Sequence, residues 1–153
     1  MTDFFPVRYS QPSPIALQKE LYNRYSFEEL PECTLFQSGL NDIYQVKFGN
    51  DIFYLRISPA NKYILKNIEE EAEIINVLIK NGVNVAPPVC YNNGKFAWEI
   101  NAPEGKRYSI MFKEAKSSPS GVEIKKHFNL GQMLARIHII TDKYDISVNR
   151  KGF

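Results

Sequence analysis

Phe53-Tyr54-Leu55-Arg56-Ile57-Ser58 and, shortly after it, Leu65-Lys66-Asn67-Ile68-Glu69-Glu70-Glu71-Ala72-Glu73-Ile74-Ile75 decide how this chain folds. The first stretch is aromatic and β-branched and carries one cation, which reads as a strand. In the second, Leu65, Ile68, Ala72, Ile75 and Ile79 recur at helical spacing and form the stripe that must be buried. Stepping about 100° per residue places Glu69, Glu70 and Glu73 away from that stripe and Glu71 inside its edge, between Ile75 and Leu78. A carboxylate turned toward a sheet needs a partner, because desolvating it alone costs several kcal/mol. Arg56, on the strand just before the helix, is the obvious one. A guanidinium held by a carboxylate is fixed in orientation and can offer its remaining donors to a phosphate. The plainer alternative is a structural Arg–Glu pair with no ligand, on a helix whose other acids only face solvent.

Outward from this pair the pattern is β-rich. Thr34-Leu35-Phe36 suggests a strand, Ile43, Val46 and Phe48 a second, and Gly49-Asn50-Asp51 a tight turn into Ile52–Ile57. The helix is expected from about Lys62 to Lys80, stopped by Asn81-Gly82. Val85-Ala86-Pro87-Pro88 is an extended connector. Val89–Tyr91, the turn Asn92-Asn93-Gly94-Lys95 and Phe96–Ile100 read as a hairpin, and a turn at Pro103-Glu104-Gly105 leads to Tyr108–Phe112. The expected fold class is α+β: a five-stranded antiparallel sheet with one long helix inserted after the third strand.

Before the sheet, Ser13-Pro14 caps a short helix running to about Tyr25. After it, Lys116-Ser117-Ser118-Pro119-Ser120-Gly121 is the clearest linker, followed by a helix of roughly Glu123 to Thr141. Gly131 and Ala135 lie on one side of that helix, where another element could approach closely. The organisation expected is an N-terminal extension over 1–29, a lobe over 30–115, and a linker with a further helix over 116–153.

Composition narrows the function classes. Across 153 residues, 44% are hydrophobic and 13% aromatic, enough for a core in one domain or one lobe. The net charge is +2 and the basic residues are interleaved with acids, so there is no nucleic-acid footprint. No apolar stretch approaches a bilayer span and the first residues lack a signal-peptide pattern, so no membrane partner and a cytoplasmic location are expected. Cys33 and Cys90 are far apart and in no metal spacing, which suits two reduced thiols.

The turn Ser38-Gly39-Leu40-Asn41-Asp42 supplies backbone donors of the kind that meet phosphates. It matches neither a G-x-G-x-x-G loop nor a Walker motif. Hairpin turns of similar composition are common.

Taken in order, these segments resemble the N-terminal lobe of the aminoglycoside phosphotransferase / choline kinase-like family, small-molecule kinases of protein-kinase-like fold, over roughly residues 30–141. Gly39-Leu40-Asn41-Asp42-Ile43-Tyr44-Gln45-Val46 resembles the nucleotide loop and second strand. Phe53-Tyr54-Leu55-Arg56-Ile57 resembles the third strand, whose basic residue contacts the α- and β-phosphates. Glu71-Ala72-Glu73-Ile74-Ile75 resembles the helix motif whose first Glu pairs with that residue. Met111-Phe112-Lys113-Glu114-Ala115 resembles the end of the fifth strand and the hinge, where backbone groups bind adenine. Leu134-Ala135-Arg136-Ile137-His138 resembles the first helix past the hinge.

The resemblance implies ATP with Mg²⁺ as cofactor. Its candidate contacts are Ser38, Gly39, Leu40, Asn41, Asp42, Arg56, Glu71, Phe112, Lys113, Glu114 and Ala115. It also implies a small-molecule acceptor, such as an aminoglycoside, choline, homoserine or a sugar, chosen by a C-terminal lobe. The departure from the family is large. The family's His-x-Asp, with Asn five residues after the Asp, and its later metal-binding Asp have no match here. His127 and His138 are not followed by such an Asp, and Asp145 and Asn149 lack the preceding His. The expectation is therefore no catalytic residue and no metal ligand in this chain, a missing second lobe, and no transfer activity for 1–153 alone.

His127 and His138 share a face with Ile124, Leu134 and Ala135 and read as packed structural histidines, on a face that could support self-association. Trp98, Phe96, Tyr108 and Met111 read as sheet packing. Two rival readings stay open: a non-catalytic interaction module, and a structural α+β domain in which Arg56 and Glu71 form only an ion pair.

Overall fold

The computed structural model describes residues 9–115 and 123–143. Within them run α1 (Pro14–Tyr25), β1 (Glu32–Gln37), β2 (Asp42–Phe48), β3 (Asp51–Ile57), α2 (Leu65–Lys80), β4 (Pro88–Val89), β5 (Ala97–Ala102), β6 (Gly105–Lys113) and α3 (Glu123–Thr141). The linker expected at 116–121, the side chain of His127, and Asp145 and Asn149 lie outside the described residues.

The strands form one antiparallel sheet in the order β1-β2-β3-β6-β4, with β5 also paired to β6. The β1–β2–β3 meander follows from its short connections. The β2–β3 turn pairs Phe48 with Asp51 and places Gly49 at φ 56, a left-handed conformation that glycine adopts without strain.

The sheet has six strands, not five, and the hairpin expected between 89–91 and 96–100 does not form. The turn itself closes, with the Tyr91 amide donating to the Lys95 carbonyl and the Gly94 amide to the Tyr91 carbonyl. Asn92, however, is tied to the end of α1, its amide donating to the Arg24 carbonyl and its side chain engaging Ser26 and Asn23. The chain is thus drawn off the line of β5. β4 and β5 instead share one edge of β6: Pro88 and Val89 lie opposite Phe112 and Met111, while Ala97–Ala102 run opposite Ile110–Gly105.

The helix after β3 starts at Leu65 rather than near Lys62. Asn61 sits at φ 60, which a right-handed helix cannot continue through, and the Ile64 amide donates to the Asn67 side chain as the first turn begins.

Two cores lie on opposite faces of the sheet. One gathers Leu17 and Leu21 of α1 with Cys33, Tyr44, Val46, Leu55, Ile57, Trp98 and Met111. The segment expected as an extension therefore feeds the main core, at about 1.5–3 kcal/mol for each large apolar side chain buried. The other gathers Ile68 and Ala72 of α2 with Ala97 and Ile110, flanked by Phe96, Tyr108 and Phe112. Trp98, Phe96, Tyr108 and Met111 all pack on the sheet as the sequence suggested.

α3 touches α2, and Arg136 Nη2 donates to the Asn81 carbonyl at 3.3 Å. No described atom comes within 4 Å of a side chain placed at Gly131, so no close approach occurs there, and His138 is exposed rather than packed. No helix among the described residues is long and apolar enough to cross a membrane.

Candidate functional site

Alternation along the strands decides which side chains share the α2 face. Leu55 and Ile57 point into the α1-side core, so Tyr54 and Arg56 point to the other face. Arg56 lies opposite Ile43 on β2 and Ile110 on β6. Among the described residues α2 packs mainly on β4, β5 and β6 and reaches β3 through Glu71, while Thr34, Phe36 and Lys47 on the β1–β2 part of this face stay exposed. There the Gln45 side-chain amide donates to the Tyr54 hydroxyl at 3.3 Å, and Phe36 meets Tyr54 edge to face at 5.3 Å between centroids.

Arg56 stands where this open surface meets α2. Its Nη1 and Nη2 donate to Glu71 Oε1 and Oε2 at 2.8 and 2.7 Å, a two-pronged pairing that fixes the guanidinium plane. Arg56 Cζ also lies 5.5 Å from the centre of the Phe112 ring. The arginine is 24% exposed and the glutamate 40%, so the acid sits at the rim of the buried stripe rather than within it. Such a pair adds at most about 1 kcal/mol to stability. Its effect is on orientation.

Glu69, expected to face solvent, does not. Its carboxylate accepts the amides of Phe96 and Ala97, the latter at 2.7 Å, where β5 begins. On a helical wheel Glu69 and Glu71 flank the Ile68–Ala72 stripe about equally on its two sides. One edge reaches β5 and the other reaches β3.

The turn before β2 has a buried anchor that sequence reasoning missed. Asp42, 1% exposed, faces inward and not toward a ligand. Its Oδ2 accepts Arg107 Nη2 at 2.7 Å and its Oδ1 accepts the Ser38 hydroxyl at 2.8 Å. Both carboxylate oxygens of Asp42 are thus already engaged within the fold. Gly39 and Leu40 are exposed and Asn41 is half-buried.

At the far end of β6, the Lys113 amide donates to the Pro87 carbonyl and the Glu114 amide to the Ile52 carbonyl. Lys113 Nζ lies 3.5 Å from Asp51. Two amides of the expected hinge are thus already bonded within the fold. Phe112 is half-buried beside Arg56, and Ala115 is exposed.

Among the described residues no group of His, Cys, Asp and Glu side chains is placed to hold a metal ion. A groove of about 530 Å³ opens on the opposite side of the sheet, between α1 and β5, and is separate from this constellation.

The same fold recurs in solved structures. The amicoumacin kinase hAmiN, in complex with AMP-PNP, Ca²⁺ and amicoumacin, matches over 91% of this chain with a TM-score of 0.73 and 21% identity. The fold is that of a kinase-like N-terminal lobe.

A microcompartment-associated aminopropanol kinase matches over 91% of this chain with a TM-score of 0.70 and 17% identity. Spectinomycin phosphotransferase APH(9)-Ia, in complex with ADP and spectinomycin, matches over 86% with a TM-score of 0.60 and 14% identity. In sequence, the chain is 37% identical over 97% of its length to the uncharacterized protein sll1119 of Synechocystis sp.. It spans 42% of that relative and 43%, 44% and 39% of the three solved kinases. No family model matches the chain.

Proposed function

We propose that this chain is the ATP-binding lobe of a small-molecule phosphotransferase, one that transfers the γ-phosphate of ATP to a hydroxyl of a small acceptor. The observation that carries the reading is the two-pronged Arg56–Glu71 pair at the border of the exposed part of this sheet face. A guanidinium so held has donors left for the α- and β-phosphates and pays little further ordering cost on binding. The backbone of Ser38–Asn41 would cover the phosphates, and the base would lie near Phe112. Because the Lys113 and Glu114 amides are spent, the hinge contact narrows to the carbonyls of that segment and Ala115. The AMP-PNP and Ca²⁺ held by the amicoumacin kinase support a nucleotide with a divalent metal, and the metal of this proposal is Mg²⁺.

Phosphoryl transfer rests on positioning and charge neutralisation, and this lobe carries half of the clamp. Acceptor choice and metal ligation would belong to a C-terminal lobe. Calorimetric titration of residues 1–153 with Mg·AMP-PNP tests the reading. Weak binding that Arg56→Ala abolishes is expected, with no phosphorylation of any acceptor by this chain alone. Binding indifferent to Arg56→Ala would refute the phosphate contact and favour a purely structural ion pair.

One observation favours a second reading, a non-catalytic interaction module. Phe128, Leu130, Leu134 and Ile139 of α3 are all exposed. Self-association through them would appear as a concentration-dependent mass in sedimentation, abolished by Leu134→Glu.

A further inference from the structure

Arg107 of β6 is 2% exposed and binds in three directions at once. Its Nε donates to the Ser58 carbonyl at 2.8 Å, its Nη1 to the Ser10 carbonyl at 2.6 Å, and its Nη2 to Asp42 at 2.7 Å. Both ends of this junction are extended by further bonds. On one side, Glu104 accepts the Ser10 amide at 3.1 Å and the Ser10 hydroxyl at 2.9 Å, and Tyr44 donates its hydroxyl to the Pro12 carbonyl. On the other, Asp42 accepts the Ser38 hydroxyl, so the first residue of the Ser38–Asn41 turn is bonded to the same carboxylate that Arg107 holds. No buried side-chain polar atom among the described residues is left without a partner, so the junction is fully satisfied and admits one arrangement.

We propose that Arg107 is a positioning residue that couples the Ser10–Pro12 segment to the Ser38–Asn41 turn, so that this segment sets how the turn meets a nucleotide's phosphates. The coupling is a property of the fold; its effect on the nucleotide rests on the function proposed above. The turn needs such an anchor. No described atom lies within 4 Å of a side chain placed at Gly39, and Leu40 is 64% exposed, so packing among the described residues does not hold the tip. The Ser38–Asp42 bond and the strand ends are what fix it, and Arg107 fixes Asp42.

The experiment measures ¹⁵N order parameters for the amides of 39–41 in the full chain, alongside titration with Mg·AMP-PNP. Two variants are compared with the wild type. The double variant Ser10→Ala, Glu104→Gln removes the side-chain bonds at the N-terminal end, and with them the Glu104 charge 3.8 Å from Arg107 Nη1, while keeping both partners of the 2.7 Å Arg107–Asp42 pair. Arg107→Lys keeps the charge but cannot reach three partners. The wild-type turn is expected near 0.8, falling below about 0.6 in the double variant while β6 amides stay near 0.85. Nucleotide affinity is expected to weaken roughly tenfold in both variants. Unchanged order at 39–41 in the double variant, with residues 9–12 loosened, overturns the coupling even if Arg107→Lys fails to fold. A turn that loosens in a chain whose wild type binds no nucleotide upholds the coupling and refutes the nucleotide reading instead.

Discussion

Asp42 and Arg107 meet at 2.7 Å with side chains 2% and 3% exposed, so the most buried ion pair among the described residues is hidden beneath the turn rather than displayed at its open face. Removing one partner leaves the other charged and buried. Asp42→Ala is expected to cost about 3–5 kcal/mol in urea unfolding, whereas replacing both residues by apolar ones of similar volume should cost much less. Equal losses in the single and double variants would show that the pair is not the source of the effect.

The Arg56–Glu71 pair should behave in the opposite way. Being partly exposed, its loss in Glu71→Gln should lower stability by less than about 1 kcal/mol. If Arg56 holds phosphates, the same variant should weaken Mg·AMP-PNP binding roughly tenfold. Affinity equal to wild type, with the fold intact, would separate the guanidinium's orientation from any binding role.

Glu69 has a structural task that can be read at two amides. Its carboxylate accepts those of Phe96 and Ala97, bonds to a charged group worth about 1.5–3 kcal/mol. In Glu69→Ala these two amides should lose hydrogen-exchange protection well before those of β3. Unchanged protection would mean that the β5–β6 pairing alone holds the start of β5.

Glu104 predicts how the fold responds to acid. Burial pushes its carboxyl upward, but hydrogen bonds from Ser10 and its own amide, and the charge of Arg107, outweigh that and hold it below the ordinary value of 4.5. A depressed carboxylate contributes stability that is present above the unfolded value and is lost as pH falls through the folded one. Glu104→Gln should therefore melt below wild type at pH 7, and the gap should narrow once pH drops under 4.5. A gap constant from pH 7 to pH 3 would contradict this linkage.

The two thiols should differ in reactivity. Cys33 is buried, and burial pushes its thiol up to about 11, while Cys90 is exposed. A disulfide reagent at pH 8 should titrate one thiol per native chain and two after denaturation. Rapid modification of both in the native state would place Cys33 outside the core.

Local chemistry made much of this fold legible in the sequence. Ser13-Pro14, Gly49 and Asn81-Gly82 mark their boundaries through backbone preferences, and the Ile68–Ala72 stripe aims α2 correctly at the sheet. The pairing of Arg56 with Glu71 followed from the same wheel. The wheel places Glu69 as near the stripe on its other side, but its partners were not legible because they are main-chain amides, which carry no residue signature. The Asp42–Arg107 junction was equally silent, since it joins residues far apart in the chain through a β3–β6 pairing that no short connection announces. β4 misled because the Tyr91–Lys95 turn is real, while the ties from Asn92 to α1, which draw the chain aside, are tertiary.

β6 carries β3 along one edge and β4 and β5 along the other, yet it is synthesised after every other strand of the sheet. Until it leaves the ribosome, the meander has an open flank at β3 and the short β4 has nothing to join. A meander that folded before then would have to wait through the synthesis of α2 with β3 unpaired along one edge, and with Arg56 and Glu71 made before Ile110, the residue opposite Arg56. Any factor that shields a growing polypeptide would find its longest unpaired edge in that interval.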